Sequence, residues 1–187
     1  MADQPNVGFE SPVVRPGEPL GGELALIDES AATKVSIRAS DDSAVAAELE
    51  VPFAHSLERN GVLVVGMRPE EWLLLGDTEP VRAVAAGVDP GSDGLVTVID
   101  ITHGRAMFRL SGDESPAALE KVCSIDFGDH MTPDGAAVGA SVAKVACDLV
   151  RNDRGEERSY LIMCDRSLGQ YLWDALRDAC KEFTPQD

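Results

Sequence analysis

The chain has 187 residues, which is enough to bury a substantial core in one compact domain. Its 33 acidic and 16 basic residues give a net charge of −17, which argues against nucleic acid and anionic membranes as partners, because both attract basic surfaces. No apolar run approaches the roughly 20 residues of a membrane-spanning helix, and the first residues lack a secretion-signal pattern, so we expect a cytoplasmic protein.

Residues 1–32 are predicted to form an irregular N-terminal arm, either loose or laid across a partner. Prolines and glycines interrupt this segment so often that it keeps neither a helical nor a strand period for long. They are Pro5, Gly8, Pro12, Pro16, Gly17, Pro19, Gly21 and Gly22. The remaining residues, 33–187, are predicted to form one domain made of two similar halves, 33–101 and 102–187.

The first half alternates between strand and helix signals. Apolar alternation indicates strands, whereas capping residues followed by helical spacing indicate helices. The predicted elements are a strand at 33–39, a helix at 41–49 capped by Ser40, a hairpin formed by 62–67 and 71–75, and a helix capped by Asp77 with Pro80 in its first turn.

The segment from Thr97 to Asp113 is predicted to form a β-hairpin at the middle of the chain. Two apolar runs flank Thr102, His103 and Gly104, and a three-residue turn that ends in glycine is a common hairpin connection. The hairpin would join the two halves.

The second half repeats the order of the first. The predicted elements are a strand at 105–111, a helix after Asp113 with Pro116 in its first turn, strands at about 141–151 and 157–164, and a final helix. Apolar residues at helical spacing define the face that this final helix buries. They are Leu168, Tyr171, Leu172, Ala175, Leu176, Ala179, Cys180 and Phe183.

Two pairs of segments suggest an internal repeat. Residues 38–51 match 109–122, and 72–77 match 160–165, with Trp72 opposite Tyr160. Chance similarity between apolar β-α-β patterns is the alternative explanation. We predict an α+β fold of two pseudo-duplicated, ferredoxin-like (split βαβ) units with mainly antiparallel sheets.

The residues that could carry chemistry are scattered. The four cysteines, at 123, 147, 164 and 180, lack the paired spacing of a zinc site and are predicted to be buried thiols. His103 could pair with Asp100 as a catalytic dyad or be an ordinary turn residue. Arg105 and Arg109 share a strand face and could hold a carboxylate jointly, or pair with acidic residues of the chain. A metal site of Asp126, Asp129, His130 and Asp134 is disfavoured because their spacing is irregular.

Trp173 is the main candidate for a contact with another protein. On the final helix it lies beside Gln170 and Arg177, off the apolar stripe, and an exposed tryptophan often marks an interface. A boundary tryptophan folded against its own domain is the alternative. We predict a partner interface containing Trp173, Gln170, Arg177, His103 and Arg105, with no catalytic, cofactor-binding or metal residue. Trp72 is predicted to lie in the core.

Four segments in register resemble the gamma subunit of heterotetrameric sarcosine oxidase, which is related to aminomethyltransferase folate-binding domains. They are 68–76, 98–112, 122–127 and 165–174. The likeness covers residues 33–183. Two departures are a faint opening motif at 10–13 and Cys123-Ser-Ile-Asp126 where the family usually has Cys-Pro-Leu-Asp.

The resemblance implies a small subunit without catalytic residues, assembled with alpha, beta and delta subunits. The complex of that family demethylates sarcosine to glycine and passes the one-carbon unit to tetrahydrofolate. FAD, FMN, NAD, tetrahydrofolate and zinc would bind to the other subunits. Two other functions stay open, a free-standing folate-binding or one-carbon transfer protein and an unrelated scaffold.

Overall fold

The computed structural model describes residues 8–20, 24–89 and 95–183. Within these ranges the strands are β1 (Ala25–Asp28), β2 (Thr33–Arg38), β3 (Ser56–Arg59), β4 (Val62–Arg68), β5 (Glu71–Gly76), β6 (Thr97–Asp100), β7 (Arg105–Ser111), β8 (Ala137–Val142), β9 (Val145–Arg151) and β10 (Ser159–Asp165). The α-helices are α1 (Ala44–Leu49), α2 (Thr78–Gly87), α3 (Ser115–Glu120) and α4 (Gly169–Cys180). None of the described helices is long and apolar enough to cross a membrane.

The strands form two sheets that repeat one plan. The first sheet has the order β3-β4-β5-β2-β6, and the second has the order β8-β9-β10-β7-β1. Neighbouring strands in both sheets run antiparallel. Each sheet is a ferredoxin-like βαββαβ arrangement with one extra edge strand, β3 or β8. The predicted α+β, pseudo-duplicated fold is confirmed.

The two sheets pack face to face, with the helices outside. Helices α1 and α2 cover the first sheet, and α3 and α4 cover the second. Val62 of β4 packs with the helices, and its neighbour Leu63 packs with the opposite sheet. Central strands are therefore buried on both faces, which explains the uninterrupted apolar run Trp72–Leu75. The inter-sheet cluster contains Leu63, Val65, Met67, Leu73, Leu75, Met107, Ala137, Val150, Leu161 and Met163.

The segment 1–32 is not irregular throughout, contrary to the prediction. Residues 25–28 form β1, which pairs with β7 from Ala25↔Ser111 to Asp28↔Phe108 and completes the second sheet. The second half thus receives from the N-terminal segment the strand that the first half takes from its own β6. Only four residues, Ala25–Asp28, form this strand. Apolar alternation over so short a stretch does not distinguish a strand from a loop in the sequence. Residues 1–7 and 21–23 lie outside the described part.

The predicted central hairpin is wrong. Strand β6 pairs with β2 in the first sheet, whereas β7 pairs with β1 and β10 in the second. Thr102–Gly104 forms a 3-10 turn at which the chain crosses between the sheets. An apolar run, a short turn and a second apolar run give the same local pattern for a hairpin and for such a crossing, so only long-range pairing distinguishes them. The predicted division into halves at 101/102, and the domain bounds, stay predictions.

The predicted repeat alignment is displaced by two residues. The predicted alignment matches Ile37 with Phe108 in one pair of segments and Trp72 with Tyr160 in the other. Ile37 pairs with Trp72 in the first sheet, but Phe108 pairs with Ile162 in the second. A displacement of two keeps every side chain on its original face, because strand side chains alternate with period two. Apolar patterning therefore could not detect the error.

Two local details also differ from prediction. Ser43, not Ser40, caps α1, accepting a hydrogen bond from the Ala46 amide. The predicted strand 141–151 is interrupted by a tight turn at Ala143 and Lys144, whose φ angles are 48° and 67°. Left-handed φ angles are unusual for these residue types, so neither residue indicates a turn. The hairpin of β4 and β5 and the position of Asp77 before α2 agree with prediction.

Lys34 is a fully buried lysine at the margin of the inter-sheet core. Its Nζ donates hydrogen bonds of 2.7 Å to the carbonyl oxygens of Ser30 and Ala32. Burial lowers the pKa of Lys34 from 10.5 to about 8, against the opposing attraction of Asp28 and Asp100. The folded chain therefore holds this proton less tightly than the unfolded chain does.

This lysine predicts a pH-dependent stability in the alkaline range. Between pH 8 and 10.5 the unfolded state binds the Lys34 proton and the folded state releases it, so stability rises with pH. Relative to Lys34→Met, the wild-type free energy of unfolding should increase by on the order of 3 kcal/mol across that window. Urea titrations at several pH values measure the difference. A flat difference would mean that Lys34 keeps its proton when buried.

Candidate functional site

Four of the five predicted interface residues contact the N-terminal arm of the same chain. Gln170 Oε1 accepts hydrogen bonds of 2.9 Å from the amides of Val14 and Arg15, and its Nε2 donates to the Arg15 carbonyl at 3.2 Å. The Arg177 guanidinium lies against Gly17, where an added Cβ would come within 2.8 Å of its Nη2 atom. The arm therefore runs along α4 as an extended segment.

The beginning of the described arm is held by Phe9. Its ring lies 5.6 Å from the His103 ring and 5.2 Å from the Arg166 guanidinium carbon, and Arg166 also donates a hydrogen bond to the Glu10 carbonyl. Asp100 Oδ1 meanwhile accepts the Thr102 amide hydrogen. These contacts favour the turn-residue interpretation of His103 over a catalytic dyad with Asp100.

Trp173 is not on an exposed face, contrary to the prediction. Only 5% of its surface is exposed. Its ring meets Phe108 edge-on with a centroid separation of 5.3 Å, and its Nε1 donates to the Pro16 carbonyl at 3.0 Å. The helix is covered by the sheet on one side and by the arm on the other, so its buried face is wider than a sheet alone would make it.

The apolar stripe of α4 is correspondingly rotated from its predicted position. The predicted members Leu168 and Tyr171 are exposed, whereas Trp173 is buried with Leu172 and Leu176. The arm determines which residues of α4 are buried, because it covers the side of the helix that faces away from the sheet. The sequence of the helix alone does not indicate this second covering surface. A contact with a partner protein stays a prediction for the other four residues, Gln170, Arg177, His103 and Arg105.

Arg105 belongs to a row of ion pairs that crosses between the sheets. The row runs in the order Arg38, Glu71, Arg68, Asp148, Arg105 and Asp165. At its centre Asp148, which is buried, accepts hydrogen bonds from Arg68 Nη2 at 2.7 Å and Arg105 Nη2 at 2.6 Å. Since Arg68 lies in the first sheet and the other two lie in the second, this carboxylate joins the two halves.

Arg109 is held separately from Arg105. Its Nε donates to Glu29 at 2.8 Å, and its Nη1 donates to Ser159 Oγ at 2.7 Å. The two arginines thus pair with acidic residues of the chain, as one of the two sequence interpretations holds, and they do not hold a carboxylate jointly.

A cavity of about 750 Å³ opens between the sheets beside Arg109. Leu63, Leu75, Met107 and Leu161 contribute apolar lining, and Glu29, Arg109 and Arg154 contribute charges. Glu29 lies between the two arginines, 2.8 Å from Arg109 and 2.9 Å from Arg154. It neutralises much of the charge that an anionic ligand would need, so the cavity is not built as an anion site.

The residues considered as metal ligands are occupied by other contacts. Asp129 pairs with Arg151 at 2.6 Å and Arg158 at 2.8 Å, and the Arg151 hydrogen bond lowers the pKa of Asp129. Asp134 accepts the Asp153 amide hydrogen, and His130 pairs with Asp126. In the part of the chain that is described, no three His, Cys, Asp or Glu side chains are grouped to hold a metal ion.

All four cysteines are buried as free thiols, in agreement with the prediction. Burial raises the pKa of Cys147 to about 12 and that of Cys164 and Cys180 to about 11. Thiols with such pKa values stay protonated near neutral pH and are poor nucleophiles. The cysteines are therefore core residues.

Comparisons with known proteins agree over most of the chain. The sequence model described as "Sarcosine oxidase, gamma subunit family" matches residues 30–182. "Sarcosine oxidase subunit gamma" of Corynebacterium sp. (strain P-1) is 26% identical over 178 residues, covering 88% of this chain and 84% of the relative. "Sarcosine oxidase subunit gamma" of Arthrobacter sp. is 28% identical over 154 residues, covering 75% and 72%.

Two solved structures share the fold. A chain of heterotetrameric sarcosine oxidase from Corynebacterium sp. U-96, in complex with pyrrole 2-carboxylate, has a TM-score of 0.76 at 21% identity, and the match covers 90% of both chains. Glycine cleavage system aminomethyltransferase T from Bartonella henselae has a TM-score of 0.62 at 12% identity, and the match covers 84% of this chain but 46% of that one.

Proposed function

Because the chain belongs to the sarcosine oxidase gamma subunit family, we propose that it is a non-catalytic gamma subunit of a heterotetrameric, flavin-dependent sarcosine oxidase. The observation that carries the proposal is the match of the family model to residues 30–182, nearly the whole of the described domain. The internal use of charged residues supports it, since Arg68 and Arg105 pair with Asp148 between the two sheets and Arg109 pairs with Glu29.

The proposal extends to the partners and the reaction. The chain would assemble with alpha, beta and delta subunits in a complex that demethylates sarcosine to glycine and transfers the one-carbon unit to tetrahydrofolate. FAD, FMN, NAD, tetrahydrofolate and zinc would be held by those other subunits. The role of this chain would be to present a folded surface on which the larger chains assemble.

A free-standing folate-binding or one-carbon transfer protein is not favoured. The shared fold covers only 46% of the aminomethyltransferase chain, so this chain corresponds to less than half of such an enzyme. Calorimetry of the isolated chain with tetrahydrofolate separates the two functions. A gamma subunit without a folate site should give no saturable heat, whereas tight stoichiometric binding would favour the folate protein.

Purification of the tagged chain from its native cell tests the proposal directly. We expect a yellow complex with two larger chains and a fourth chain of similar or smaller size. The complex should oxidise an N-methyl amino acid, and its flavin should bleach when this substrate is added anaerobically. The isolated chain should be colourless and inert. Recovery of a lone monomer under gentle lysis would contradict the proposal.

A further inference from the structure

We propose that the outer edge of β6 is a docking site for an extended segment of another subunit, which carries a lysine or arginine and pairs with β6 as an added strand. This inference rests on the proposed function and names the surface through which it is carried out.

The backbone of β6 has a free outer edge in the described part of the chain. Strand β6 ends its sheet, with β2 on its inner side. The Ile101 amide donates to the Lys34 carbonyl at 2.9 Å, so antiparallel alternation turns the amide and carbonyl of Ile99 inward as well. The corresponding groups of Val98 and Asp100 point outward, in the arrangement that an added antiparallel strand requires.

Exposed apolar side chains accompany this edge. Leu95 is 89%, Val98 41% and Ile99 52% exposed. Val98 pairs with Ile37 on the helix side of the sheet, and Ile99 pairs with Ser36 on the other side. An added strand would therefore find an apolar neighbour on both faces. Of the features that usually protect a free edge, β6 has a short length and one charge, on Asp100, and its other exposed side chains are apolar, which leaves them available for a contact.

The opposite margin of the two sheets is closed within the chain. The Ser56 amide donates to the Gly135 carbonyl at 2.7 Å, and the Ala137 amide donates to the Ala54 carbonyl at 2.9 Å. These bonds tie the β3 side of the first sheet to the β8 side of the second. β6 and β1 lie on the other margin, where β1 exposes Ile27. The margin of β3 and β8 is thus joined by backbone hydrogen bonds between the sheets, whereas β6 ends the opposite margin of the first sheet.

Charge favours a different chain over a second copy as the occupant. Asp100 lies in β6 with its carboxylate half exposed, and the nearest cation recorded for it, on Arg82, is 3.9 Å away. Pairing of two β6 edges would bring this carboxylate toward its counterpart in another chain of net charge −17. A partner strand with a lysine or arginine beside Asp100 would instead complement it.

The test uses Val98→Pro in the tagged chain, expressed in its native cell. Proline removes the outward amide hydrogen of residue 98 and blocks the edge, while the inward bonds of Ile99 and Ile101 remain, and edge strands tolerate proline at such positions. We expect the isolated variant to keep its melting temperature within a few degrees, and the yield of flavin-bearing complex per tagged chain to fall about tenfold or more.

Three other variants make the result specific. Leu57→Lys changes an exposed apolar residue on the margin of β3 and β8 and should leave the complex yield unchanged. Ile99→Pro removes an inward hydrogen bond and should destabilise the isolated chain itself. Ile99→Lys keeps the backbone intact while placing a charge on the edge, so it replaces Val98→Pro if that variant does not fold. A photo-crosslinking residue at position 95 should link to another subunit of that complex.

Each outcome decides between the proposals. If wild type and both edge variants recover the complex equally, the edge inference is wrong and the subunit function stands. If wild type recovers no flavin-bearing chain, the subunit function fails and the inference fails with it. If the purified wild type is a dimer that Val98→Pro converts to a monomer, the occupant is a second copy and the assigned partner is wrong.

Discussion

Replacing Trp173 with alanine is expected to lower the free energy of unfolding of the isolated chain by about 3–5 kcal/mol, the range for removing a large buried aromatic side chain. The variant would lose the edge-to-face contact with Phe108 and the Nε1 hydrogen bond to Pro16, and a cavity would remain between α4, β7 and the arm. Urea unfolding of the isolated chain, followed by circular dichroism, measures the loss.

Tyr171→Ala is the matched control on the same helix. Tyr171 is also aromatic, but it is 54% exposed and its hydroxyl donates to the Ala143 carbonyl. Its loss should cost less than about 1 kcal/mol. If Trp173→Ala were as mild as Tyr171→Ala, the arm would not be holding the tryptophan in the core, and the original interface assignment would regain its basis.

Replacing Asp148 with alanine is expected to destabilise the chain by about 3 kcal/mol, because two charge-assisted hydrogen bonds to a buried carboxylate are lost, at about 1.5 kcal/mol or more each, although Arg68 keeps Glu71 and Arg105 keeps Asp165 as partners. Asp148 receives one hydrogen bond from each half of the molecule, through Arg68 and Arg105. Its removal should loosen the two halves relative to each other. Hydrogen exchange should therefore quicken in the strands around the inter-sheet cluster, and equilibrium unfolding should show the loss in stability.

The control for Asp148 is Glu50→Ala, which breaks an ion pair of similar length in the open. Glu50 lies 2.7 Å from Arg59, and both side chains are exposed. Exposed pairs contribute about 1 kcal/mol or less, so this variant should be close to wild type. Equal losses of unfolding free energy in the two variants would show that burial between the sheets does not strengthen the ion pairs of Asp148.

Local patterns predicted the elements whose partners lie nearby in sequence. The hairpin of β4 and β5 is confirmed because its strands and its turn are contiguous. The pairing of β6 with β2, and of β7 with β1, joins segments far apart in sequence. No local pattern encodes such pairs, which is why the central crossing was taken for a hairpin.

The interface assignment failed at Trp173 for a related reason. Helical periodicity predicts one buried face, but two surfaces cover α4, and the second is the arm that contributes Pro16. A proline-rich segment gives no sign of the helix against which it lies. Trp72, in contrast, was correctly predicted to be buried, because its own strand is apolar on both faces.

The position of β1 also affects how the chain can fold as it is synthesised. Residues 29–104 separate β1 from its partner β7, so the ribosome needs roughly 4–15 s, at ~5–20 residues per second, before β7 emerges. The first sheet can form during that interval from β2 to β6, while β1 waits unpaired with Leu26 and Ile27 uncovered. A polypeptide cut at 101/102 would likewise yield one fragment with a surplus strand and another without its edge strand, so neither fragment would reproduce its half of the protein.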